Sequence, residues 1–562
     1  MKYLLCLLCY ISLCLNTGFA QQRDRVSGKQ LFTQNCATCH SLDNDGMGPR
    51  LGGVTTLLPQ KTLITFISDP AKVIASGEER AVNLSKRYKL LMPSFAPLGV
   101  TKIKAIVNYI ATETKLHQYK TLAVEKYEGP ADGRLLPAIK KSGLKVDLKD
   151  FIQLPRPKKN LPDKGIATLR PYPGADGTLF VADQLGVIYR ISGAKADTFL
   201  NITNYVKTFK AEGGLTWGLG SFAFHPDFLH NGLFYTTNSE SHSDKRAENV
   251  YIDSLKSDLQ WVLTEWKMDN VNDKVFKGTR RELLRINEPT AAHGVAEINF
   301  IPGLKKDDKN YGLLYMGIGD GGSNNIKHPE FADNKHSFLG SIIRIDPLGH
   351  NSPNGNYGIP ADNPFVKDTD PLTRKEIYAL GFRNPHRFAW DITPAGTRMF
   401  VSDIGESNIE ELDIVEKGGN YGWSTREGDF GINTVQDLKK VYPLPESELN
   451  KFKRPFATYD HMDGNSISGG YVYKGPITAL QNKYIFGDIV RGRLFYVDLA
   501  NNMADHDIHE ITVMYNGKET TINTLFNAKR ANLRFGYDQY TNTLYIMTKA
   551  NGMIRVISNA YY

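Results

Sequence analysis

Two cysteines and a histidine, Cys36, Cys39 and His40, lie within five consecutive positions near the N-terminus. Thiols at this spacing can each add to a porphyrin vinyl group, and the histidine that follows is placed to ligate the iron. The alternatives are a redox dithiol or a local disulfide. Such dithiols occur in a βαβ context that this segment lacks, and a zinc site would need two more ligands nearby. The motif predicts a covalently bound haem c.

The first twenty residues are typical of an export signal. Lys2 precedes an apolar run over 3–15, and small residues at positions 18 and 20 precede a cut before Gln21. The run is short for a membrane anchor, and the bulky Leu13 disfavours lipid attachment at Cys14. Cleavage would remove three of the five cysteines and leave the haem pair. We expect a periplasmic or secreted bacterial protein with no transmembrane segment after cleavage.

The surroundings of the haem motif, residues 22–118, have a helical pattern. Residues 28–32 predict a helix that runs into the motif, with Leu31 and Phe32 facing inward. Apolar residues at i, i+3, i+4 and i+7 predict one face of a closing helix, namely Ile103, Ile106, Val107 and Ile110. Together with Gly48 and Pro49, these features resemble the class I cytochrome c family.

This resemblance implies two further residues at the haem. In the family a proline after the motif supports the ligand histidine, and the matching residue is Pro49. The family also places a Met-Pro pair before the last helix, which implies Met92 as the sixth iron ligand. Met47 lies only seven residues past His40, too near to reach the opposite haem face. A thioether ligand favours electron transfer over oxygen chemistry; the alternative is that Met92 is a core residue.

Length and composition bound the rest of the chain. At 562 residues it is long enough for two or three domains. Its 68 basic and 60 acidic residues give a net charge of +8, a mild excess that does not indicate nucleic-acid binding. High counts of glycine (50) and tyrosine (28) favour turn-rich β structure over helix bundles.

Residues 119–160 predict a linker. The helical period ends there, and four prolines occur among Lys140, Lys141, Lys145, Lys149, Lys158 and Lys159. The lysines could dock an acidic partner, but a solvated spacer is the interpretation that we favour.

Residues 161–562 repeat short strand patterns between turn signals. Six sections share an order of apolar strand, Leu-Tyr strand and Arg-Ile strand, and they lie within 166–191, 220–235, 296–345, 388–415, 470–497 and 533–557. Such repetition is typical of a β-propeller, whereas two packed sandwiches would leave the recurring order unexplained. The predicted fold class is multidomain, a small all-α cytochrome c domain followed by an all-β six-bladed propeller at 161–562.

Four motifs in this region carry a second resemblance. They are Phe222-Ala223-Phe224-His225-Pro226-Asp227, Gly319-Asp320-Gly321-Gly322, Gly381-Phe382-Arg383-Asn384-Pro385 and Gly418-Gly419-Asn420-Tyr421-Gly422-Trp423. From about 165 to 557 the chain is similar, in order, to the glucose/sorbosone dehydrogenase family. That family comprises soluble sugar dehydrogenases that use pyrroloquinoline quinone (PQQ) in a six-bladed propeller. It also includes hedgehog-interacting-protein-like members, which residues 468–473 and 484–488 resemble more.

The resemblance implies a catalytic set. Oxidising a sugar hemiacetal needs a base for the hydroxyl proton, an acceptor for the hydride and positive charge at the acceptor. The family's base is a histidine shortly before the Gly-Asp-Gly-Gly motif, here His293. Arg383 and Asn384 match the Arg-Asn pair that polarises the quinone. A lone histidine such as His293 is more often structural, and that is our interpretation of His225 and His386.

The resemblance also implies a calcium ion between cofactor and protein. The matching ligands are the carbonyls of Gly405 and Glu406, with Glu410, Glu411 and Tyr421 nearby, and oxygen donors suit calcium. The alternative is that Glu410 and Glu411 form a solvated acidic turn.

The sequence departs from the family at the cofactor's carboxylates. Soluble members carry a lysine where this chain has Val490, and the paired arginines of the sixth repeat are reduced to Arg534. Arg491, Arg493 and Arg534 could compensate, because a guanidinium binds carboxylates well.

The sequence therefore predicts an exported, PQQ-dependent sugar dehydrogenase that passes electrons to its own haem and then to a downstream acceptor. The alternative is a non-catalytic propeller that binds a carbohydrate or protein and carries an electron-transfer cytochrome c. A third candidate, a reductase with haems c and d₁, would need eight repeats rather than six.

Overall fold

The computed structural model describes residues 27–37, 39–43, 48–88, 92–119, 134–155, 165–212, 216–245, 247, 257, 259–433, 437–500 and 506–562. The predicted export signal, Cys14 and Met47 lie outside the described residues.

The segment that carries the haem motif is helical. Its helices are α1 (Gly28–Asn35), α2 (Val54–Leu57), α3 (Gln60–Ser68), α4 (Pro70–Ala75), α5 (Glu79–Tyr88) and α6 (Val100–His117). Ser27 begins α1 with a capping box, in which its side chain and that of Gln30 satisfy each other's backbone N–H groups. Leu31 and Phe32 of α1 are buried in the same cluster as Ile106 and Ile110 of α6, so the predicted inward faces are confirmed.

The rest of the described chain is mainly β structure, arranged in sheets of consecutive antiparallel strands. Four sheets have four strands each: β2–β5 (Ile166–Pro171, Leu179–Asp183, Val187–Ser192, Lys195–Asn201); β6–β9 (Leu219–Phe224, Leu233–Ser241, Leu259–Met268, Gly278–Glu288); β10–β13 (Val295–Phe300, Leu314–Ile318, Ser341–Ile345, Ile377–Leu380); and β14, β15, β16 and β20 (Pro385–Thr393, Gly396–Asp403, Ile409–Val415, Ala457–Asp460).

The remaining strands form one small and one large sheet. The small sheet is β17–β19 (Arg426–Glu427, Phe430–Asn433, Asp437–Pro443). The large sheet runs β21-β22-β23-β24-β1-β28-β27-β26, with β25 on β24; these are Ile467–Val472, Lys483–Asp488, Leu494–Asp498, His509–Tyr515, Lys140–Gln153, Met553–Tyr561, Thr543–Thr548, Leu533–Asp538 and Lys518–Thr520. Three short helices, α7 (Phe228–Asn231), α8 (Glu446–Leu449) and α9 (Ile522–Leu525), interrupt the β structure.

The sheets are arranged around a ring. Their first strands contact one another in the order β2, β6, β10, β14, β21 and β26, and β26 in turn contacts β2. The sheets pack face to face through apolar clusters, so the core lies between sheets. A helical N-terminal segment followed by a β domain is therefore confirmed. No helix in the described part of the chain combines the length and apolarity needed to cross a membrane.

The prediction of a linker over 119–160 is wrong for residues 140–153. This stretch is strand β1, which pairs parallel to β24 and antiparallel to β28. Leu144, Val146 and Leu148 alternate as its buried positions, which is the pattern of a strand with one face in a core. Lys145 and Asp147 between them occupy the other face, so this stretch is not a solvated spacer.

Candidate functional site

The haem motif begins at the end of α1. Cys36 is the C-terminal cap of this helix and is buried, whereas Cys39 is half-buried. Burial, followed by the charge of Cys39, raises the pKa of the Cys36 thiol to about 12. The thiol of Cys36 is therefore neutral in this environment.

His40 is oriented by the residues that follow the motif. Its Nδ1 donates to the carbonyl oxygen of Pro49 at 2.7 Å. A Cβ atom on Gly48 would lie 2.8 Å from His40 Nδ1, so glycine is required for the ring to pack there. A histidine fixed through Nδ1 presents Nε2 to a metal. The cysteines, the histidine and this support fit a covalent haem.

Met92 lies in an irregular segment between α5 and the 3₁₀ turn Ala96–Leu98, and it is half-buried. Its role as the sixth iron ligand stays a prediction.

Loops at one end of the β-sheets bring His293 and Arg383 together with Asp320 and Glu406. His293 lies between β9 and β10, Asp320 between β11 and β12, Arg383 between β13 and β14, and Glu406 between β15 and β16. Successive strands of the sheets that begin with β10 and β14 are antiparallel, so the loop before a first strand and the loop between second and third strands lie at the same end. We call this end the site face.

Asp320 is the centre of the hydrogen-bond network on the site face. Its Oδ1 accepts from Nδ1 of His293 at 2.6 Å and from the backbone N–H of Gly322 at 2.8 Å. Its Oδ2 accepts from Nε1 of Trp423 at 3.0 Å and from the hydroxyl of Ser323 at 3.2 Å. Burial works to raise the pKa of Asp320, but His293, Arg383 and Gly322 together hold it below its ordinary value. Asp320 is therefore an ionised carboxylate.

His293 is held tightly in an unusual backbone conformation. Its φ angle is 56°, in the left-handed region that non-glycine residues rarely adopt. A Cβ atom on Gly319 would lie 2.6 Å from the Cβ of His293, and one on Gly294 would meet the Trp261 ring. Such strained residues cluster at functional sites, where the surrounding structure enforces the conformation.

Arg383 is buried and engaged by a carboxylate. Its Nε donates to Oε2 of Glu406 at 2.9 Å, and its Nη1 donates to the carbonyls of Ile404 and Gly405 at 3.0 and 2.7 Å. Its guanidinium lies 5.7 Å from the ring centroid of Trp423. Burial opposes the charge of Arg383, but Glu406 and Asp320 raise its pKa. The backbone N–H groups of Arg383 and Asn384 both donate to the buried carboxyl of Asp403.

The residues predicted to bind calcium are engaged by protein groups. Gly405 offers its carbonyl to Arg383, where the prediction required a metal ion. Glu410 binds the backbone N–H groups of Gly405 and Ile467 and the imidazole of His461. Among the described residues, no three His, Cys, Asp or Glu side chains are disposed to hold a metal ion.

Glu411 and Tyr421 have structural partners of their own. Glu411 accepts from Arg426 and from the N–H of Gly428. The Tyr421 hydroxyl donates to the carbonyl of Ile414. Glu410 and Glu411 are adjacent on β16, so their side chains leave opposite faces of the strand. Both are buried, so a solvated acidic turn is excluded. Calcium binding by this set stays a prediction.

Of the three arginines predicted to bind the cofactor's carboxylates, two are occupied elsewhere. Arg491 donates to the carbonyls of His461 and Met462, and Arg493 pairs with Asp463 and Glu510.

Arg534 differs from these two arginines. It is buried, it donates to the carbonyl of Leu533, and its Nε has no hydrogen-bond partner among the described residues. Burial, then the charges of Arg387 and Arg530, lower its pKa well below the ordinary value. Burial and the charges of Arg534, Arg387, Lys549 and His293 likewise lower the pKa of His386. A buried guanidinium whose Nε has no hydrogen-bond partner among the described residues fits an anionic cofactor such as PQQ better than it fits a neutral core.

Glu288 is a second unusual carboxyl beside the Asp320 loop. It ends β9, is only 2% exposed, and neither oxygen has a partner among the described residues. Burial, then the charge of Asp320, raise its pKa well above the ordinary value. Glu288 is therefore a neutral acid next to an ionised one.

Sequence reasoning missed the roles of Asp320, Glu406 and Glu288. Asp320 lies in the Gly319-Asp320-Gly321-Gly322 motif, and an aspartate between glycines directly after a strand is the sequence signal that could have indicated its role. The pairing of Glu406 with Arg383 spans 23 positions and depends on how the two loops meet, so the sequence offered no local signal for it.

Comparison with known proteins identifies two regions. The glucose/sorbosone dehydrogenase family matches residues 170–518, and the cytochrome c family matches residues 26–114.

Individual relatives agree with these matches. HIPL1 protein of Arabidopsis thaliana is 27% identical over 57% of this chain and 50% of its own length, so the chain spans about half of that relative. Quinoprotein glucose dehydrogenase B of Acinetobacter calcoaceticus is 24% identical over 58% of this chain and 74% of its own length. The apo structure of the soluble aldose sugar dehydrogenase of Escherichia coli has a TM-score of 0.50 at 17% identity, covering 73% of this chain and 98% of that one. This last likeness concerns the fold.

Proposed function

Because the chain belongs to the glucose/sorbosone dehydrogenase family and carries a cytochrome c domain, we propose that it is an exported oxidoreductase that oxidises an aldose-type sugar with PQQ and passes the electrons to its own haem c. We also infer that the ring of sheets is the six-bladed propeller that the sequence predicts. The observation that carries the proposal is the His293–Asp320 pair, on the same face as the buried guanidinium of Arg534.

His293 acts as the general base. Its Nδ1–H is held by the ionised Asp320, which leaves Nε2 to accept a proton from the sugar's anomeric hydroxyl. A carboxylate behind the ring stabilises the imidazolium that then forms. The positive φ angle, the packing of Gly319 against His293 and the packing of Gly294 against Trp261 keep the ring from turning away.

The cofactors would divide the redox chemistry. PQQ, when bound, supplies a two-electron acceptor for the hydride at the anomeric carbon, and haem c accepts electrons singly. Arg534, with His386 nearby, would hold a carboxylate of the quinone. Cys36, Cys39 and His40 would hold the haem, with Met92 as its second ligand. Fusing the domains raises the effective concentration of the first electron acceptor.

The test is reconstitution of the haem-loaded protein with PQQ. Aldoses are added with and without Ca²⁺, and reduction of the haem is followed by its absorbance. We expect sugar-dependent reduction that His293→Ala lowers strongly. The absence of both PQQ binding and haem reduction with every aldose would reject the proposal. Full activity of His293→Ala would reject the assigned base.

The Arg383–Glu406 pair favours a second candidate function. Glu406 neutralises the Arg383 guanidinium, whose positive charge the dehydrogenase mechanism needs beside the quinone. The alternative is therefore a non-catalytic propeller that binds a carbohydrate or protein. Equilibrium binding separates the two candidates. Sugar binding without PQQ binding would support the binding protein, and Glu406→Gln would then leave sugar affinity unchanged.

A further inference from the structure

Two ion pairs join the haem-binding domain to the β domain. Asp43, three positions after His40, lies 3.4 Å from Nζ of Lys327. Asp69, which caps the N-terminus of α4, accepts from Nζ of Lys529 at 2.8 and 3.0 Å. All four side chains are partly exposed to solvent.

Both lysines lie on the site face. Lys327 is in the β11–β12 loop, seven positions after Asp320. Lys529 is in the segment before β26. That segment is bonded to the β22–β23 loop, since the N–H of Ala531 donates to the carbonyl of Val490. The β22–β23 loop is in turn bonded through Arg491 to His461, which contacts Glu410 beside the Arg383–Glu406 pair. These contacts connect the segment that carries Lys529 to the loops around the Arg383–Glu406 pair on the site face.

The two anchors lie on opposite sides of the ring. Lys327 belongs to the sheet of β10 and Lys529 precedes β26, and three steps around the ring separate these strands in either direction. A body that touches both anchors must span the mouth of the ring. The chain that leaves the haem domain is also fixed at this face. Arg134 pairs with Asp463, and the N–H groups of Leu135 and Leu136 donate to Asp460, just before β21.

We propose that the haem-binding domain is a cap on the site face, held by an electrostatic clamp of the pairs Asp43–Lys327 and Asp69–Lys529. The clamp places the haem-attachment loop beside the loop that carries Asp320. Its relevance to electron transfer rests on the proposed function, whereas the docking itself does not.

The clamp is reversible by its construction. Exposed ion pairs are individually weak and are screened by salt, with a Debye length of about 8 Å at 0.15 M and about 3 Å at 1 M. The covalent connection through residues 120–133 keeps the domains at high effective concentration, so two weak pairs suffice. We expect the cap to close at low ionic strength and open at high ionic strength.

Zero-length carbodiimide cross-linking of the haem-loaded full chain tests the clamp, because it couples a carboxylate only to an amine in contact. Mass spectrometry should find Asp43–Lys327 and Asp69–Lys529 links at low salt, with yields that fall on the order of tenfold in 1 M salt. The variant K327E/K529E should lose both links and show a larger radius of gyration by small-angle scattering. Adding D43K and D69K should restore the links with reversed polarity and the wild-type radius. The control is Lys141→Glu, which breaks an exposed pair with Glu519 inside the β domain.

No inter-domain link at low salt, or an unchanged radius of gyration in K327E/K529E, would overturn the clamp. Neither readout needs PQQ or sugar, so failure of the enzyme proposal leaves this result standing. If the enzyme proposal holds, K327E/K529E should keep sugar oxidation with a soluble dye acceptor while sugar-dependent haem reduction slows.

Discussion

The haem-binding domain and the β domain each hold one histidine in the same way. In both, Nδ1 donates to an oxygen of the residue that follows a tightly packed glycine: the Pro49 carbonyl after Gly48, and the Asp320 carboxylate after Gly319. The acceptor differs in charge. A neutral carbonyl orients a neutral imidazole for a metal, whereas a carboxylate also stabilises the imidazolium formed on proton uptake. Under the proposed function, the partner of Nδ1 therefore distinguishes a ligand histidine from a base.

The largest expected effect is loss of the haem. Cys36→Ser with Cys39→Ser should abolish covalent haem, because each thiol supplies one of the two attachment bonds. Haem staining after denaturing electrophoresis measures this. His293→Ala is the control and should keep its haem while losing sugar oxidation. Covalent haem in the double serine variant would contradict the haem site at Cys36, Cys39 and His40, and with it the comparison of the two histidines.

The next effect concerns the carboxylate behind the base. Asp320→Asn removes the charge that stabilises protonated His293, and kcat should fall by about 10²- to 10⁴-fold, the usual contribution of general-base catalysis. Steady-state oxidation of an aldose with a dye acceptor measures it. Binding of the sugar should change little, since the amide keeps the shape of the site. A kcat within a few-fold of wild type would show that His293 does not rely on Asp320.

A third effect distinguishes the domains by their buried acids. The described residues of the haem domain bury no carboxylate, whereas the β domain buries neutral Glu288. Unfolding lets Glu288 ionise, so its raised pKa makes stability fall as pH rises above about 4.5, by up to about 1.4 kcal/mol per pH unit. Glu288→Gln should remove the contribution of this residue to the pH dependence. The variant should therefore gain stability over wild type as pH increases. Urea unfolding followed by tryptophan fluorescence from pH 4.5 to 7 measures it.

All five tryptophans lie between positions 217 and 423, so their fluorescence reports the β domain. The control for Glu288→Gln is Glu446→Gln, which changes an exposed carboxylate and should shift the unfolding curve equally at every pH. Parallel pH slopes for wild type and Glu288→Gln would contradict the neutral state of Glu288.

The smallest effect tests the two glycines. Gly48→Ala and Gly319→Ala each force a methyl group against a histidine, and overpacking of this kind costs about 1–3 kcal/mol. Gly48→Ala should destabilise only the transition seen by haem absorbance, and Gly319→Ala only that seen by tryptophan fluorescence. A shift of both transitions by either variant would mean that the domains unfold as one unit.

The two regions also differ in how far sequence reasoning reached. The haem motif is local, so Cys36, Cys39 and His40 and the packing of α1 on α6 could be predicted from spacing. The sheets were predictable from recurring strands. The separate partners of Glu410 and Glu411 were not, because residues adjacent in sequence on β16 face opposite ways. In strand β1 the apolar residues Leu144, Val146 and Leu148 alternate with polar ones, which is a strand pattern. The lysines of this stretch led instead to the prediction of a linker. The Arg383–Glu406 pair depends on tertiary contact and has no local signature.

Strand β1 has a consequence for the order in which the molecule can be built. Lys140 pairs with His509 and Lys145 with Tyr561, so the strand that completes the large sheet is synthesised several hundred residues before its neighbours. Until the C-terminal residues emerge, β1 exposes unpaired backbone edges, a state that is prone to wrong pairing. The haem segment, whose contacts are mostly local, can fold during that interval. Haem attachment can therefore precede closure of the ring of sheets. A chain truncated at its C-terminal end should still attach its haem, although β1 then lacks a partner strand.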